Sequence, residues 1–211
     1  MKNVHSDFGV KIFDNFLTPT YFYQLQNKVL GKKFSWNYYD NITNGEEENV
    51  KNPYCSNELW QSGFSHLVIY NETIFSQEIL DLMLGLHCKI LDVSECNWIV
   101  RSRFDMTIFS NGKRKHVPHV DLLIPNITCV FYMTDSDAPT VIYDERLSSY
   151  EIESFGDLYS KEEFDNFKIK KVVYPKENRI VMFDGSYFHT GFSPEQYKNR
   201  VTLNVNVGKY F

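Results

Sequence analysis

The sequence has few cysteines, no long apolar run and no excess of positive charge, and each absence excludes a class of protein. Its four cysteines show no C-x-x-C spacing, which excludes the usual cysteine-ligated zinc site and indicates reduced, intracellular thiols. No apolar run approaches the ~20 residues of a membrane-spanning helix, and the N-terminus has no apolar signal region. We therefore expect a cytoplasmic protein that does not enter a membrane.

The formal net charge of −5 argues against a nucleic-acid partner, because binding to a phosphate backbone requires a basic surface. The exception is the basic run KRKH at 113–116, which lies just before His119. We interpret this run as a solvated loop, although it has the charge to hold an anionic substrate.

Arg101 and Arg103 share one face of a predicted strand, and we expect them to pair with the abundant carboxylates.

The composition predicts a globular chain that is rich in β-structure. Hydrophobic residues make up 43% of the 211 residues, and aromatic residues, which favour strands, make up 16%. We expect a single domain over residues 1–211. In this interpretation, residues 1–95 supply helices and supporting strands, and residues 96–211 form a jelly-roll core with an insertion at 144–170.

The pattern of apolar residues predicts two helices in the first half of the chain and short strands in the second. Thr18 is a suitable N-cap for a helix that ends at Gly31, and an apolar stripe over about 72–91 predicts the other helix. Residues 41–63 are polar and are expected to form a long loop. Strands are predicted over 10–16, 34–40, 65–70, 98–109, 117–122, 127–133, 140–143, 171–174, 179–183, 188–192 and 200–207. This order indicates a mainly β fold with flanking helices, of the jelly-roll or cupin-like type.

A metal site is predicted from two histidines and one aspartate. His119 and Asp121 lie two residues apart in HVPHVD, and His189 follows much later in the chain. Residues two apart on a strand face the same side, so the first two side chains can reach one ion. Two imidazoles and one carboxylate suit a divalent iron that keeps coordination positions open for substrates. We therefore predict that His119, Asp121 and His189 are the metal ligands and the catalytic centre.

Arg200 and Thr202 follow His189 in the pattern H-x10-R-x-T and share one face of a predicted strand. A buried guanidinium and a hydroxyl are suited to hold a carboxylate, because both donate hydrogen bonds to it. His116 precedes His119 by three residues and would face the other side of a continuous strand. We expect His116 to occupy a loop or rim position and not to be a metal ligand.

The joint pattern of H-x-D and H-x10-R-x-T resembles that of the Fe(II)/2-oxoglutarate oxygenases of the double-stranded β-helix fold, and in particular their prolyl-hydroxylase-like branch. The resemblance covers roughly residues 97–207 and includes NRIVMFDGSYFHTGFSP (178–194), which is similar to the family's strands before the second histidine. A less specific similarity is the strand and helix start FDNFLTPTYFYQL at 13–25.

The resemblance implies that the triad binds Fe(II) and that Arg200, helped by Thr202, binds the distal carboxylate of 2-oxoglutarate. Prolyl hydroxylases typically have Lys in place of Arg200 and often have a Tyr shortly before the first histidine, where this chain has Phe109. Tyr132 or Thr128 on the next strand is then the candidate to supply the missing hydroxyl.

The implied activity is that of a dioxygenase, in which O2 drives oxidative decarboxylation of 2-oxoglutarate and a C–H bond of the substrate is hydroxylated. Ascorbate is a candidate reductant. The nucleic-acid demethylase branch has a second Arg where this chain has Asn206, which argues against a nucleobase substrate. Three hypotheses stay open: a hydroxylase of a peptide or protein side chain such as prolyl, the same chemistry on a small metabolite or free amino acid, and a non-catalytic metal-binding jelly roll.

The insertion at 144–170 is expected to close over the iron or to be a surface decoration.

Overall fold

The computed structural model describes residues 8–40, 42, 62–112, 114–147 and 161–209. Within these residues the protein is mainly β-structure with flanking helices, as predicted. The helices are α1 (Pro19–Val29), α2 (Gln77–Ser94) and α3 (Lys161–Asp165). The strands are β1 (Val10–Phe13), β2 (Asn37–Tyr39), β3 (Gly63–Tyr70), β4 (Thr73–Ile74), β5 (Trp98–Ile108), β6 (Arg114–Lys115), β7 (Ile127–Tyr132), β8 (Thr140–Arg146), β9 (Ile169–Val173), β10 (Arg179–Asp184), β11 (Tyr187–Thr190), β12 (Phe192–Ser193) and β13 (Asn199–Gly208).

Most of the strands form a major and a minor antiparallel sheet that face each other, and β12 pairs with β6 as a separate two-stranded sheet. The major sheet has the order β1-β10-β7-β13-β5-β3-β2, with β4 paired to β3, and the minor sheet has the order β11-β8-β9. Val181 and Phe183 of the major sheet pack against Ile142 and Tyr187 of the minor sheet. Two facing antiparallel sheets are the jelly-roll arrangement that the sequence predicted.

The two faces of the major sheet differ in chemical character. The outer face carries apolar residues of β7, β10 and β13, such as Phe131 and Leu203, which pack against the apolar stripes of α1 and α2. Phe22 of α1 meets Phe131 edge to face, with ring centroids 6.0 Å apart. Because successive residues of a strand alternate between faces, the polar residues of β5 and β13 point into the space between the two sheets.

Direct strand pairing joins the N-terminal half of the chain to the predicted core. β1 pairs with β10 from Val10↔Phe183 to Phe13↔Ile180, and β3 pairs with β5 from Gly63↔Thr107. These shared ladders agree with a single domain, and its extent over residues 1–211 stays a prediction. None of the helices in the described part of the chain is long and apolar enough to span a membrane. The described cysteines, Cys88, Cys96 and Cys129, form no disulfide.

Two predicted elements differ from the structure. The strand predicted over 117–122 is wrong, because the segment makes only a single bridge, His119↔His189, within otherwise irregular backbone. Pro118 has no N–H to donate to a ladder, so regular pairing cannot continue through it. The helix predicted from about residue 72 begins at Gln77, because Thr73 and Ile74 pair with β3.

Most of the predicted long loop, at 41 and 43–61, and the middle of the insertion, at 148–160, lie outside the described residues. The described end of the insertion packs on the outer face of the minor sheet. There the rings of Phe164 and Phe167 contact Phe188, with centroids 6.2 and 5.3 Å from it. Phe188 points away from His189 because the two are adjacent on β11. The structure therefore places this end of the insertion behind the sheet, while closure of 148–160 over the site stays a prediction.

Candidate metal and carboxylate site

The side chains of His119, Asp121 and His189 converge between the two sheets. Each offers one ligand atom, and the three atoms lie within 4.8 Å of one another. Nε2 of His119 is 3.9 Å from Asp121 Oδ1, and Nε2 of His189 is 3.8 Å from Asp121 Oδ2. Reciprocal backbone hydrogen bonds of 2.9 Å between His119 and His189 hold the two histidines side by side. The bridge thus brings together residues that are distant in sequence.

Backbone carbonyls orient both imidazoles. His119 Nδ1 lies 3.0 Å from Val117 O, and His189 Nδ1 lies 3.3 Å from Tyr187 O. A carbonyl oxygen only accepts hydrogen bonds, so each Nδ1 carries the proton and each Nε2 keeps a lone pair. Both lone pairs are then available to a metal ion beside Asp121. A metal-binding histidine usually has its second nitrogen held in this way.

The electrostatic environment keeps the two histidines neutral and the aspartate ionised. Burial lowers the pKa of His189 to about 4 and also lowers the pKa of His119, against the opposing effect of Asp121. Burial alone would raise the pKa of Asp121. The guanidinium of Arg101, the two imidazoles and the amide of Asn206 outweigh burial and hold that pKa well below its usual range. Neutral imidazoles and a carboxylate are the protonation states that a divalent metal requires.

Arg200 lies buried on the inner face of β13, with its side chain directed towards the minor sheet. Its Nη2 donates to Thr140 Oγ1 at 2.7 Å, and Tyr132 Oη donates to the same hydroxyl at 2.7 Å. The guanidinium carbon is 5.6 Å from the centre of the Tyr132 ring. Thr202 is the next residue on this face and lies directly opposite Tyr132. The predicted residues Arg200, Thr202 and Tyr132 are therefore neighbours.

Of the two hydroxyl candidates, Tyr132 is the one that lies beside Arg200. Thr128 donates to Asn126 Oδ1 at 3.3 Å and accepts from Asn206 Nδ2 at 3.2 Å, which places it near Asp121. Burial raises the pKa of Tyr132, so its hydroxyl keeps its proton and acts as a donor.

Two polar residues near the site have no clear signal in the sequence. Thr140 joins Tyr132 to Arg200, and nothing in the sequence distinguishes it from other threonines at strand ends. Asn206 binds Asp121, whereas its position in the sequence indicates only a missing arginine.

His116 lies in irregular backbone and outside the triad, as expected of a loop residue, but it is buried. It is 3% exposed, its Nε2 is 3.0 Å from Ser193 Oγ, and burial together with Arg200 and His119 lowers its pKa to about 3.

Arg101 and Arg103 pair with carboxylates, as expected. Arg101 Nη2 lies 2.7 Å from Asp121 Oδ1, and Arg103 Nε lies 2.9 Å from Asp105 Oδ1. The pairing of Arg101 with Asp121 brings a guanidinium directly to a predicted metal ligand.

The donor set fits a divalent iron and a small dicarboxylate. Two neutral imidazoles and one carboxylate lie close enough to share one ion, and they are the ligand types that iron(II) oxygenases use. Arg200 Nε is buried and has no hydrogen-bond partner in the described structure. A buried donor without a partner is costly, and an incoming carboxylate would satisfy it.

Comparison with known proteins gives matches in structure but not in sequence. No protein-family model matches the chain, and no curated protein sequence matches it. A non-heme α-ketoglutarate-dependent epimerase from nogalamycin biosynthesis has a TM-score of 0.61 and 10% identity, over 95% of this chain and 78% of that chain. A 2OG-Fe(II) oxygenase family protein from Burkholderia pseudomallei has a TM-score of 0.60 and 9% identity, over 97% and 87%.

A prolyl hydroxylase from Trichoplax adhaerens, solved with a hypoxia inducible factor peptide fragment, has a TM-score of 0.56 and 11% identity, over 95% of this chain and 84% of that chain. At such low identity these likenesses concern the fold. The chain therefore has the double-stranded β-helix fold of the Fe(II)/2-oxoglutarate oxygenases.

Proposed function

We propose that the chain is an Fe(II)- and 2-oxoglutarate-dependent dioxygenase. The observation that carries this proposal is the convergence of His119, Asp121 and His189 inside a fold whose solved examples include oxygenases of this class. The buried Arg200 supports it, because a guanidinium with an unpartnered Nε suits a carboxylate ligand.

His119, Asp121 and His189 would hold the iron, leaving further coordination positions open. When bound, iron with 2-oxoglutarate and O2 supplies the oxidising chemistry, yielding succinate and CO2 and placing one oxygen atom in the substrate. The protein residues bind, orient and exclude solvent. Val117 and Tyr187 hold the imidazole protons on Nδ1, so that both Nε2 atoms face the ion.

Arg200 would bind the distal carboxylate of 2-oxoglutarate with charge-assisted hydrogen bonds. Thr202 would add a hydroxyl donor on the same wall, and Tyr132 would add a second by giving up the bond that it donates to Thr140. Before cosubstrate binds, Thr140 accepts from both Arg200 and Tyr132 and holds them in place. Phe183 covers His189 with its ring, at a centroid distance of 5.0 Å. Apolar cover of this kind keeps water away from a reactive centre.

The proposed substrate is a peptide or protein side chain, and a small metabolite or free amino acid is the second candidate. The prolyl hydroxylase neighbour was solved with a peptide, which supports the first class. The epimerase neighbour was also solved with nogalamycin RO, which supports the second. The formal charge of −5 supports neither DNA nor RNA.

The experiment that tests this proposal is turnover of 2-oxoglutarate by the purified protein with Fe(II), O2 and ascorbate. Succinate formed in the absence of substrate indicates uncoupled turnover and identifies the enzyme class. A screen of peptides, free amino acids and metabolites for the gain of one oxygen atom then identifies the substrate class. Binding of Fe(II) without succinate formation under any condition would support the non-catalytic, metal-binding hypothesis, whereas failure to bind Fe(II) would contradict both hypotheses.

A further inference from the structure

Asp121 is engaged through both of its carboxylate oxygens by side chains of the major sheet. Arg101 Nη2 forms an ion pair with Oδ1 at 2.7 Å, and Asn206 Nδ2 donates to Oδ2 at 3.0 Å. Arg101 Nε also donates to Asn206 Oδ1 at 3.0 Å. The three side chains therefore form a closed ring around the carboxylate.

The two partners of Asp121 lie on paired strands, whereas Asp121 itself lies outside any strand. Arg101 on β5 and Asn206 on β13 lie directly opposite each other in the ladder, and they are 7% and 0% exposed. Asn206 Nδ2 is further fixed by Asn126 Oδ1 at 3.1 Å and Thr128 Oγ1 at 3.2 Å. Asp121 lies in irregular backbone, so strand geometry does not set the direction of its side chain.

We propose that Arg101 and Asn206 are positioning residues of the metal site. They fix the rotation of the Asp121 carboxylate, so that it is presented to the ion together with His119 and His189. A carboxylate that turns freely can bind a metal through either or both oxygens, and so can occupy a position that a cosubstrate needs. This inference rests on the proposed function, because it assigns a role towards the metal.

If Arg101 had a purely structural role, its replacement would have a different effect. Replacing a buried ion-pair partner leaves an uncompensated carboxylate and lowers stability, whether or not a metal binds. A positioning role also changes the affinity and geometry of the metal site in protein that has folded. The spectrum of bound Co(II) reports this difference directly, because the positions and intensities of its visible bands depend on coordination number and geometry.

Arg103 provides a matched control for Arg101. It lies two residues along the same face of β5, is 8% exposed and also forms a buried ion pair, but its partner is Asp105. Asp105 accepts a further hydrogen bond from Asn204 and is not part of the triad. Arg103→Met therefore removes a comparable buried ion pair without changing the contacts of Asp121.

The test is a titration of the folded protein with Co(II), without 2-oxoglutarate, followed by visible absorption. We expect Arg101→Met to weaken Co(II) binding by about 10- to 100-fold and to change the visible bands, as loss of an outer partner of a metal ligand generally does. Arg101→Lys should recover part of the affinity. Asn206→Ser, which keeps a short polar side chain, should weaken binding more mildly. Arg103→Met should leave the spectrum unchanged and change affinity by no more than about a few-fold, because its charge acts on His119 only at a distance.

The inference is overturned if folded Arg101→Met has the affinity and spectrum of the wild type, or if Arg103→Met loses as much. Circular dichroism establishes that each variant is folded. If Arg101→Met does not fold, Arg101→Lys and Asn206→Ser are used to test the inference. Wild-type affinity and spectrum in both of these variants would overturn it. Absence of Co(II) and Fe(II) binding by the wild type contradicts the metal site itself, which separates failure of the proposed function from failure of the positioning role.

Discussion

Arg200 on β13 donates a 2.7 Å hydrogen bond to Thr140 on β8, and this bond joins the major sheet to the minor sheet in the interior. Tyr132 donates to the same threonine hydroxyl from β7. One small side chain thus orients both groups that are proposed to meet the distal carboxylate of 2-oxoglutarate.

Arg200→Leu is expected to weaken binding of 2-oxoglutarate by at least about tenfold. A charge-assisted hydrogen-bonded pair with a carboxylate contributes roughly 1.5–3 kcal/mol, which corresponds to about 10- to 150-fold in affinity. Calorimetric titration of the metal-loaded protein under anaerobic conditions measures this. Arg179→Leu is a matched control, because Arg179 binds the surface residue Asp14 and should not affect cosubstrate. Unchanged affinity in Arg200→Leu would show that the carboxylate is held elsewhere.

Tyr132→Phe should weaken 2-oxoglutarate binding by a few-fold, in line with the ~1 kcal/mol of a neutral hydrogen bond. The variant keeps the ring beside Arg200 and removes only the hydroxyl that reaches Thr140. Thr202→Val should have a similarly mild effect. Thr128→Val tests the alternative, since Thr128 lies at the Asp121 end of the site. If Thr128→Val weakens binding and Tyr132→Phe does not, the assignment of Tyr132 is wrong.

His87 is expected to make stability depend on pH. It lies buried between α2 and β5, with Nε2 3.0 Å from Ser102 Oγ, and burial lowers its pKa from 6.5 to about 4. As the pH falls from 6.5 towards 4, the unfolded chain binds a proton that the folded His87 does not, so the free energy of unfolding falls. The full contribution is present above pH 6.5.

Urea denaturation of wild type and His87→Gln at roughly pH 7 and pH 5 measures this contribution. Wild type should lose about 2 kcal/mol more than His87→Gln between these values, because glutamine does not titrate. His116 and His189 are also buried histidines, and they contribute equally to both proteins. If both proteins lost the same free energy of unfolding between the two pH values, the pH dependence would not come from His87.

The metal triad was predictable from residue types and spacing, but its geometry was not. The spacing of His119 and Asp121 predicts a strand, whereas Pro118 and the irregular backbone around it restrict pairing to one bridge with His189. The side chains converge all the same, because that bridge fixes His119 and because Arg101 and Asn206 hold Asp121. Contacts of this kind depend on which strands become neighbours, and no local pattern encodes that.

Alternation along the strands was the most reliable guide to the interior. The period-two pattern of β13 placed Arg200 and Thr202 on one face, and that of β5 placed Arg101 and Arg103 on one face, as the structure has them. The same alternation places Asp105 beside Arg103, because the two residues are two apart on β5. The partner of Arg101 was beyond the sequence, because Asp121 comes from a different segment of the chain. Thr140 became important only because β8 crosses opposite Arg200.

The most direct test of the central claim is binding of Fe(II) and 2-oxoglutarate by wild type and His189→Ala under anaerobic conditions, with His87→Gln as a buried-histidine control. We predict one Fe(II) per wild-type chain and per His87→Gln chain, and tight 2-oxoglutarate binding only when the metal is present. His189→Ala should lose most of the metal and the metal-dependent binding of 2-oxoglutarate. Retention of wild-type metal content and 2-oxoglutarate affinity by folded His189→Ala would contradict the assignment of His119, Asp121 and His189 as the iron site.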